Sequence, residues 1–258
     1  MQRLWTESKA QLIERYLFRF LMVTKDGTYV DGFAGPQDEQ HLETWAARLV
    51  LELEPPWLRH FHLFERKRRS VLFLNELQTA HANRDVHVYP GDFNRRLHDI
   101  LTPKIIGLNE PTFALLDQRT FECDWASVCA LANYPKAQYK IEQFYFLAIA
   151  WTDRAVGGVK EPGRARMDAW YGKDGVDEFL ALKPPVRAAV MTERFKDELS
   201  YAYANPYAIH ERKGGKGRRM YYMIHATDHP RAVTFMDEAY SEVAMPPGAG
   251  EELTLFKD

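Results

Sequence analysis

Four carboxylates in this chain each stand at the end of a short apolar, β-rich run: Asp31 in VDGFAGP, Glu65 in LFER, Asp92 in YPGDF and Asp117 in ALLDQ. In an open parallel sheet, ligands bind just outside the carboxyl ends of the strands, so acids in these four places face one crevice. Gly32 and Gly35 permit a tight turn and a close backbone approach to a ligand, while Asp31 can hold polar ligand groups. Glu65, after the second run, is placed to accept hydrogen bonds from both hydroxyls of a ribose. Asp92 could accept from an adenine amino group, and Asp117 could face the reacting end of a bound cofactor. Acids at strand-to-helix junctions also cap helices, which is the role expected of Asp124. Four in order beside a glycine turn point instead to a ligand site.

Other residue types with chemical potential are fewer. Arg66, Lys67, Arg68 and Arg69 are consecutive, and Arg212, Lys213, Lys216, Arg218 and Arg219 cluster without an intervening acid around KGGKGR. Both runs could meet phosphate groups, and the second is expected to contact nucleic acid. His225, Asp228 and His229 in HATDHP are ligand types for a transition metal, yet the segment leaves a strand with no fourth ligand nearby, so no metal site is expected. Trp151, Trp170 and Tyr171 are expected to pack a core. Cys123 and Cys129 are the only cysteines. Two thiols are too few for a thiolate zinc site, and they agree with a reducing compartment.

The elements that must position these groups follow from periodicity. Leu4, Leu12, Tyr16, Leu17, Phe20 and Leu21 recur at helical spacing, so the chain opens with an amphipathic helix ending before Lys25-Asp26-Gly27. Lys9 and Tyr16 share one face of it. Strands are expected over 28–33, 60–64, 86–89, 112–116 and within 139–147, with helices over 42–53, 70–81 and 94–106 and from Asp124 onward. Strands alternating with helices of that length imply right-handed crossovers and a doubly wound, mostly parallel, Rossmann-like α/β sheet. Residues 157–204 break the rhythm and are expected to form a helical insertion, with a long helix from 186 to 203. Strands over 207–212 and 220–225 then form a hairpin, and a closing helix covers 231–243. The whole of 1–258 is expected to be one domain.

Composition bounds the function. The chain has 258 residues, 34 Lys plus Arg against 36 Asp plus Glu, a net charge of −2, 46% hydrophobic and 27% charged residues. That balance supports a buried core and excludes wholesale disorder. The longest apolar stretch, FYFLAIAW, is far shorter than the roughly 20 residues a membrane helix needs. Glu7, Lys9, Glu14, Arg15 and Arg19 interrupt the first helix, so it lacks the apolar core of a signal peptide, and the expected location is the cytoplasm.

The segments SKAQLIERYL, YVDGFAGP, HLFER, TFALLDQ, KIEQFYFL and YYMIHATDHP resemble the bacterial three-Cys-motif partner protein family, whose fold is that of class I S-adenosylmethionine-dependent methyltransferases. The family name refers to a companion protein. The resemblance spans most of the chain and implies a seven-stranded sheet with an antiparallel final strand, S-adenosylmethionine as cofactor, and an associated three-Cys-motif protein. It places Asp31, Gly32 and Gly35 at the methionine end of the cofactor, Glu65 at the ribose and Asp92 at the adenine, counts Phe33, Ala34 and Phe93 among the cofactor-binding residues, and lays the helix face of Lys9 and Tyr16 over the cofactor mouth. Asp117 falls where amino-directed methyltransferases hold the acceptor amine. Those enzymes follow the acid with two prolines and an aromatic, whereas this chain has Asp117-Gln118-Arg119-Thr120-Phe121, and Arg119 could bind a substrate phosphate. The leading expectation is a methyltransferase-like protein acting on or beside RNA or DNA with a partner. The rivals are a non-catalytic scaffold subunit of the same fold and a metal-dependent nuclease.

Overall fold

The computed structural model describes residues 4–148, 163–212 and 216–244. Its sheet has seven strands in the order β3-β2-β1-β4-β5-β7-β6. These are β1 (Thr28–Asp31), β2 (His60–Glu65), β3 (Asp85–Pro90), β4 (Thr112–Leu116), β5 (Glu142–Ala148), β6 (Tyr203–Arg212) and β7 (Lys216–Thr227). The pairs among β1 to β5 are parallel, and β7 runs antiparallel to both β5 and β6. This doubly wound order with a reversed β7 is the class I methyltransferase architecture.

Every residue of β1, β4 and β5 is buried. Their sequences TYVD, TFALL and EQFYFLA are accordingly near-continuous rather than alternating, as strands covered on both faces must be. Alternate side chains separate into two cores. Tyr29, Phe113, Leu115, Phe144 and Phe146 lie in one, under α1 (Leu4–Thr24), α2 (Ala46–Leu51), α3 (Arg68–Ala80) and α9 (Pro230–Ala244). Val30, Ala114, Leu116 and Tyr145 lie in the other, which α5 (Trp125–Ala132), α6 (Gly163–Tyr171), α7 (Val176–Ala181) and α8 (Pro184–Asp197) help to build. α1 buries Leu12, Ile13, Tyr16, Leu17 and Phe20 at helical spacing. Arg19 ties it to α9 through Glu238 and Glu242.

Three helices depart from expectation. The stretch 94–106 holds only α4 (Phe93–Arg96) and a 3-10 turn at Leu97–Asp99. Pro103 lacks an N–H and biases Thr102 away from helical geometry. The expected helix over 42–53 is split into a 3-10 turn at Leu42–Thr44 and α2, with Trp45 extended between them. The Trp45 indole N–H donates to the Ala34 carbonyl at 2.6 Å, so a tertiary bond outweighs local propensity there. The long helix over 186–203 ends at Asp197; Ser200 takes φ +56°, and Tyr203 already belongs to β6. Trp170 and Tyr171 are buried in the α6–α7 core, while Trp151 lies outside the described residues. Among the described residues no helix is long and apolar enough to cross a membrane.

Candidate cofactor cleft and acceptor site

β1 delivers Asp31 to the carboxyl end of the sheet, fully buried. Its Oδ1 accepts from the Phe33 backbone N–H at 3.0 Å and its Oδ2 from the Tyr29 hydroxyl at 3.0 Å. Burial raises the Asp31 carboxyl to about 7, and the nearby Asp117 adds to the rise against the two hydrogen bonds that oppose it. The turn that follows is locked from both sides. The Ala34 N–H donates to the Phe64 carbonyl at 2.8 Å, and the Gly35 N–H donates to Glu65 Oε2 at 3.1 Å. A Cβ on Gly35 would lie 2.1 Å from that oxygen and 2.7 Å from the Ser70 Cβ, so only glycine fits. The first turn and the acid of β2 are one hydrogen-bonded unit.

Glu65 also accepts from the Lys67 N–H through Oε1 at 2.6 Å. A carboxylate offers about four acceptor positions, so both oxygens retain capacity toward the cleft. Asp92 caps α4, its Oδ1 accepting from the Asn94 N–H at 2.9 Å, with Oδ2 uncommitted. Phe93 is buried edge-on to Phe64, 5.2 Å between centroids, and 5.7 Å from Phe33. Gly32 lies under it: a Cβ there would come within 3.2 Å of the Phe93 ring. Gly32, Phe33, Gly35, Glu65, Asp92 and Phe93 thus line one cleft, and Asp117 and Arg119 line its other side.

Asp117 is held from two distant segments. Lys9 Nζ lies 2.7 Å from both of its oxygens, and the Gln37 amide donates to Oδ2 at 2.7 Å. The Lys9 ammonium is buried, 5.0 Å from the Phe146 ring centroid and 5.3 Å from that of Tyr221. Burial pulls the Lys9 pKa down while Asp117 opposes the fall. Gln37 was not among the expected site residues. A loop glutamine carries no periodic signal, and its place beyond Gly35-Pro36 was the one available hint. The Gln118 side chain accepts from the Glu122 and Cys123 N–H groups, which folds the loop and leaves Arg119 exposed at the cleft rim.

The expected cap at Asp124 is not formed. Asp124 occupies the N-cap position of α5 without a side-chain hydrogen bond. Asn94 Oδ1 instead accepts from the Asp124 N–H and the Ser127 hydroxyl, both at 2.9 Å, so α4 organises the start of α5. His225, Asp228 and His229 have separate partners. His225 contacts Glu142 at 2.9 Å, Asp228 pairs with Lys140 at 3.4 Å, and His229 packs edge-on to Tyr139. Among the described residues, no group of three His, Cys, Asp or Glu could hold a metal ion.

The basic hairpin projects from the same end of the sheet as the cleft, since Tyr221 of β7 pairs with Ala148 at the carboxyl end of β5. Arg218 is exposed and lies 3.9 Å from Glu211, and Arg219 donates to the Tyr222 hydroxyl at 3.1 Å. Lys213 lies outside the described residues, as do the side chains of Arg212 and Lys216.

Neither a described protein family nor a curated protein matches the chain in sequence. Similar solved structures include M. jannaschii TYW2 in complex with AdoMet, at 12% identity over 85% of this chain and 75% of that one, with a TM-score of 0.45. Others are the putative methyltransferase yhhF from Escherichia coli (10% identity, 83% and 84% covered, TM-score 0.41) and the precorrin-6y C5,15-methyltransferase from Geobacter metallireducens GS-15 (13%, 82% and 86%, TM-score 0.43). At these values the similarity concerns the course of the chain, and the assignment of the fold rests on the strand order.

Proposed function

We propose that the cleft binds S-adenosylmethionine and that the chain is a methyltransferase acting on nucleic acid beside a partner protein. The observation that carries this reading is the set of three carboxylates at adjoining strand ends, Asp31, Glu65 and Asp117. Among the described residues, Lys9 is the only side-chain cation hydrogen-bonded to any of them. Burying like charges is costly unless positive charge joins them. A ligand carrying an ammonium and a sulfonium supplies it. The residues fit the group: Asp31 would hold the ammonium, the two free acceptor positions of Glu65 the ribose hydroxyls, and Asp92 with Phe93 the adenine. When bound, S-adenosylmethionine supplies an electrophilic methyl group.

The chain's own residues then orient an acceptor. Asp117, kept in place by Lys9 and Gln37, accepts a hydrogen bond from the acceptor group, and Arg119 at the rim holds a neighbouring phosphate. Lys67, Arg68 and Arg95 are also exposed, and among the described residues none of them, nor Arg119, forms an ion pair. That excess supports an anionic acceptor. The partner protein rests on the resemblance to three-Cys-motif partners.

Calorimetric titration with S-adenosylmethionine and S-adenosylhomocysteine tests the binding, and transfer of a labelled methyl group to RNA and DNA tests the reaction. Asp117→Asn should keep cofactor affinity and lower transfer by roughly 100- to 10,000-fold. Absence of any binding heat with either compound would end the proposal. A second reading, a scaffold that binds cofactor without transfer, is favoured by the engagement of both Asp117 oxygens. Full cofactor affinity with no transfer to any acceptor would select it.

A further inference from the structure

At the opposite end of the sheet from the cofactor cleft, a cavity of about 290 Å3 opens beside the amino ends of β4 and β5. Tyr16, Phe20, Tyr139 and Phe235 form aromatic walls, closed by Val23, Leu108 and Ala232. Val23, Leu108 and Tyr139 are large apolar side chains left 38%, 41% and 38% exposed around it. Phe20 is eleven residues along α1 from Lys9, roughly 16 Å at the helical rise. The cavity is therefore distinct from the cofactor cleft.

The charged groups inside it already have partners within the chain. Glu142 receives the Tyr16 hydroxyl, the Thr227 hydroxyl at 2.9 Å and the His225 ring at 2.9 Å. Lys136 Nζ donates to the Gly107 carbonyl at 2.6 Å, the Glu110 carbonyl and the Thr112 hydroxyl at 3.0 Å. The Thr24 hydroxyl is committed to backbone carbonyls. An added anion would be buried against Glu142 and Glu110, and an added cation against Lys136 and Lys140, so either sign of charge meets a like charge in the lining. A neutral occupant avoids both penalties.

Three further polar side chains of the lining remain open. The amides of Asn109 and Gln138 and the ring of His229 line the cavity and make no hydrogen bond among the described residues. Asn109 and Gln138 are exposed, so these groups stand at the mouth. A cavity of about 150 Å3 with apolar walls holds benzene, and twice that size suits a fused ring pair.

We propose that this cavity binds a neutral, planar aromatic small molecule of one or two fused rings. Its ring body lies among the four aromatic side chains and its hydrogen-bonding edge faces Asn109, Gln138 and His229. The site is independent of the cofactor reading, because no residue is shared between the two.

Titration of the full chain with indole and with quinolin-2-one, followed by calorimetry and by protein-observed NMR, tests it. The expected result is saturable one-to-one binding with Kd on the order of 0.1–1 mM, unchanged by saturating S-adenosylhomocysteine and at least tenfold tighter than for 2-naphthoate. Ala232→Phe, which fills the cavity, should weaken binding at least tenfold with little change in melting temperature. Gln138→Ala, an exposed change that spares the fold, should weaken quinolin-2-one about threefold and leave indole closer to unchanged. The proposal is overturned by absence of saturable binding, by binding that both variants leave intact, by displacement with S-adenosylhomocysteine, or by equal affinity for naphthoate. A tryptophan-containing peptide binding far more tightly than indole would make this an anchor pocket for a protein and overturn the small-molecule assignment.

Discussion

Both ends of the parallel sheet bury carboxylates, but they provide for the charge differently. At the amino ends, Glu142 is met by the Tyr16 hydroxyl, the Thr227 hydroxyl and the His225 ring, so three side-chain donors from within the chain answer its charge. At the carboxyl ends, Asp31 is held by a backbone N–H and a tyrosine, Glu65 by two backbone N–H groups, and Asp117 by the cation Lys9 and the amide of a glutamine. One end is complete as folded. The other leaves Asp31 raised to about 7 by burial and by neighbouring acids. A buried carboxylate kept short of positive charge is a candidate ligand site.

The largest loss is expected at Asp117. Asp117→Ala strands the buried Lys9 ammonium and should destabilise the fold by about 3–5 kcal/mol in denaturant unfolding. Lys9→Met combined with Asp117→Leu removes both charges and should recover most of that loss. If the double variant were as unstable as the two single losses added together, Lys9 and Asp117 would not be acting as a pair.

Tyr16→Phe probes the complete end. Removing a donor to the buried Glu142 should cost about 1.5–3 kcal/mol of stability while S-adenosylhomocysteine affinity stays the same. A loss of affinity in calorimetry would mean that the two ends are coupled through α1 and that the contrast between them is too simple. Gly35→Ala should do the reverse. Its Cβ pushes Glu65 out of place, so cofactor affinity should fall by the equivalent of about 1–3 kcal/mol with a smaller change in melting temperature. Unaltered affinity would remove Glu65 from the ribose site.

The smallest expected effect is the most specific. A cationic ligand favours ionised Asp31, so with this group at about 7 affinity should rise about tenfold between pH 6 and pH 8. Asp31→Asn should abolish that slope. The sign for stability is opposite: a carboxyl raised in the folded state stabilises fully below its unfolded value near 4, and that contribution is lost as pH rises through 7. Cofactor affinity independent of pH over this window would show that Asp31 does not face the ligand's charge.

Local pattern was enough to locate much of the site. Asp31, Glu65, Asp92 and Asp117 were legible because each follows a short apolar run, and Gly35 because a glycine beside such a run marks a turn. The strands of the parallel region are legible for the same reason, since burial on both faces leaves continuous apolar stretches. Helix boundaries are less legible. The 94–106 segment has helical periodicity but contains Pro103, and 42–53 is interrupted by the bond from Trp45 to Ala34. Asp124 had a capping sequence, yet Asn94 took that work from 30 residues away.

Which residue types stand at the strand ends follows from the order of amino acids alone, because period and turn chemistry act over a few neighbouring residues. How their charges are met is set by long-range packing. Lys9 reaches Asp117 across 108 positions, Gln37 reaches it across 80, and Tyr16 reaches Glu142 across 126. Whether a buried carboxylate is neutralised, shared or left for a ligand depends on distances and solvent exclusion created when α1 packs across the sheet. Those quantities have no local counterpart in the order of amino acids.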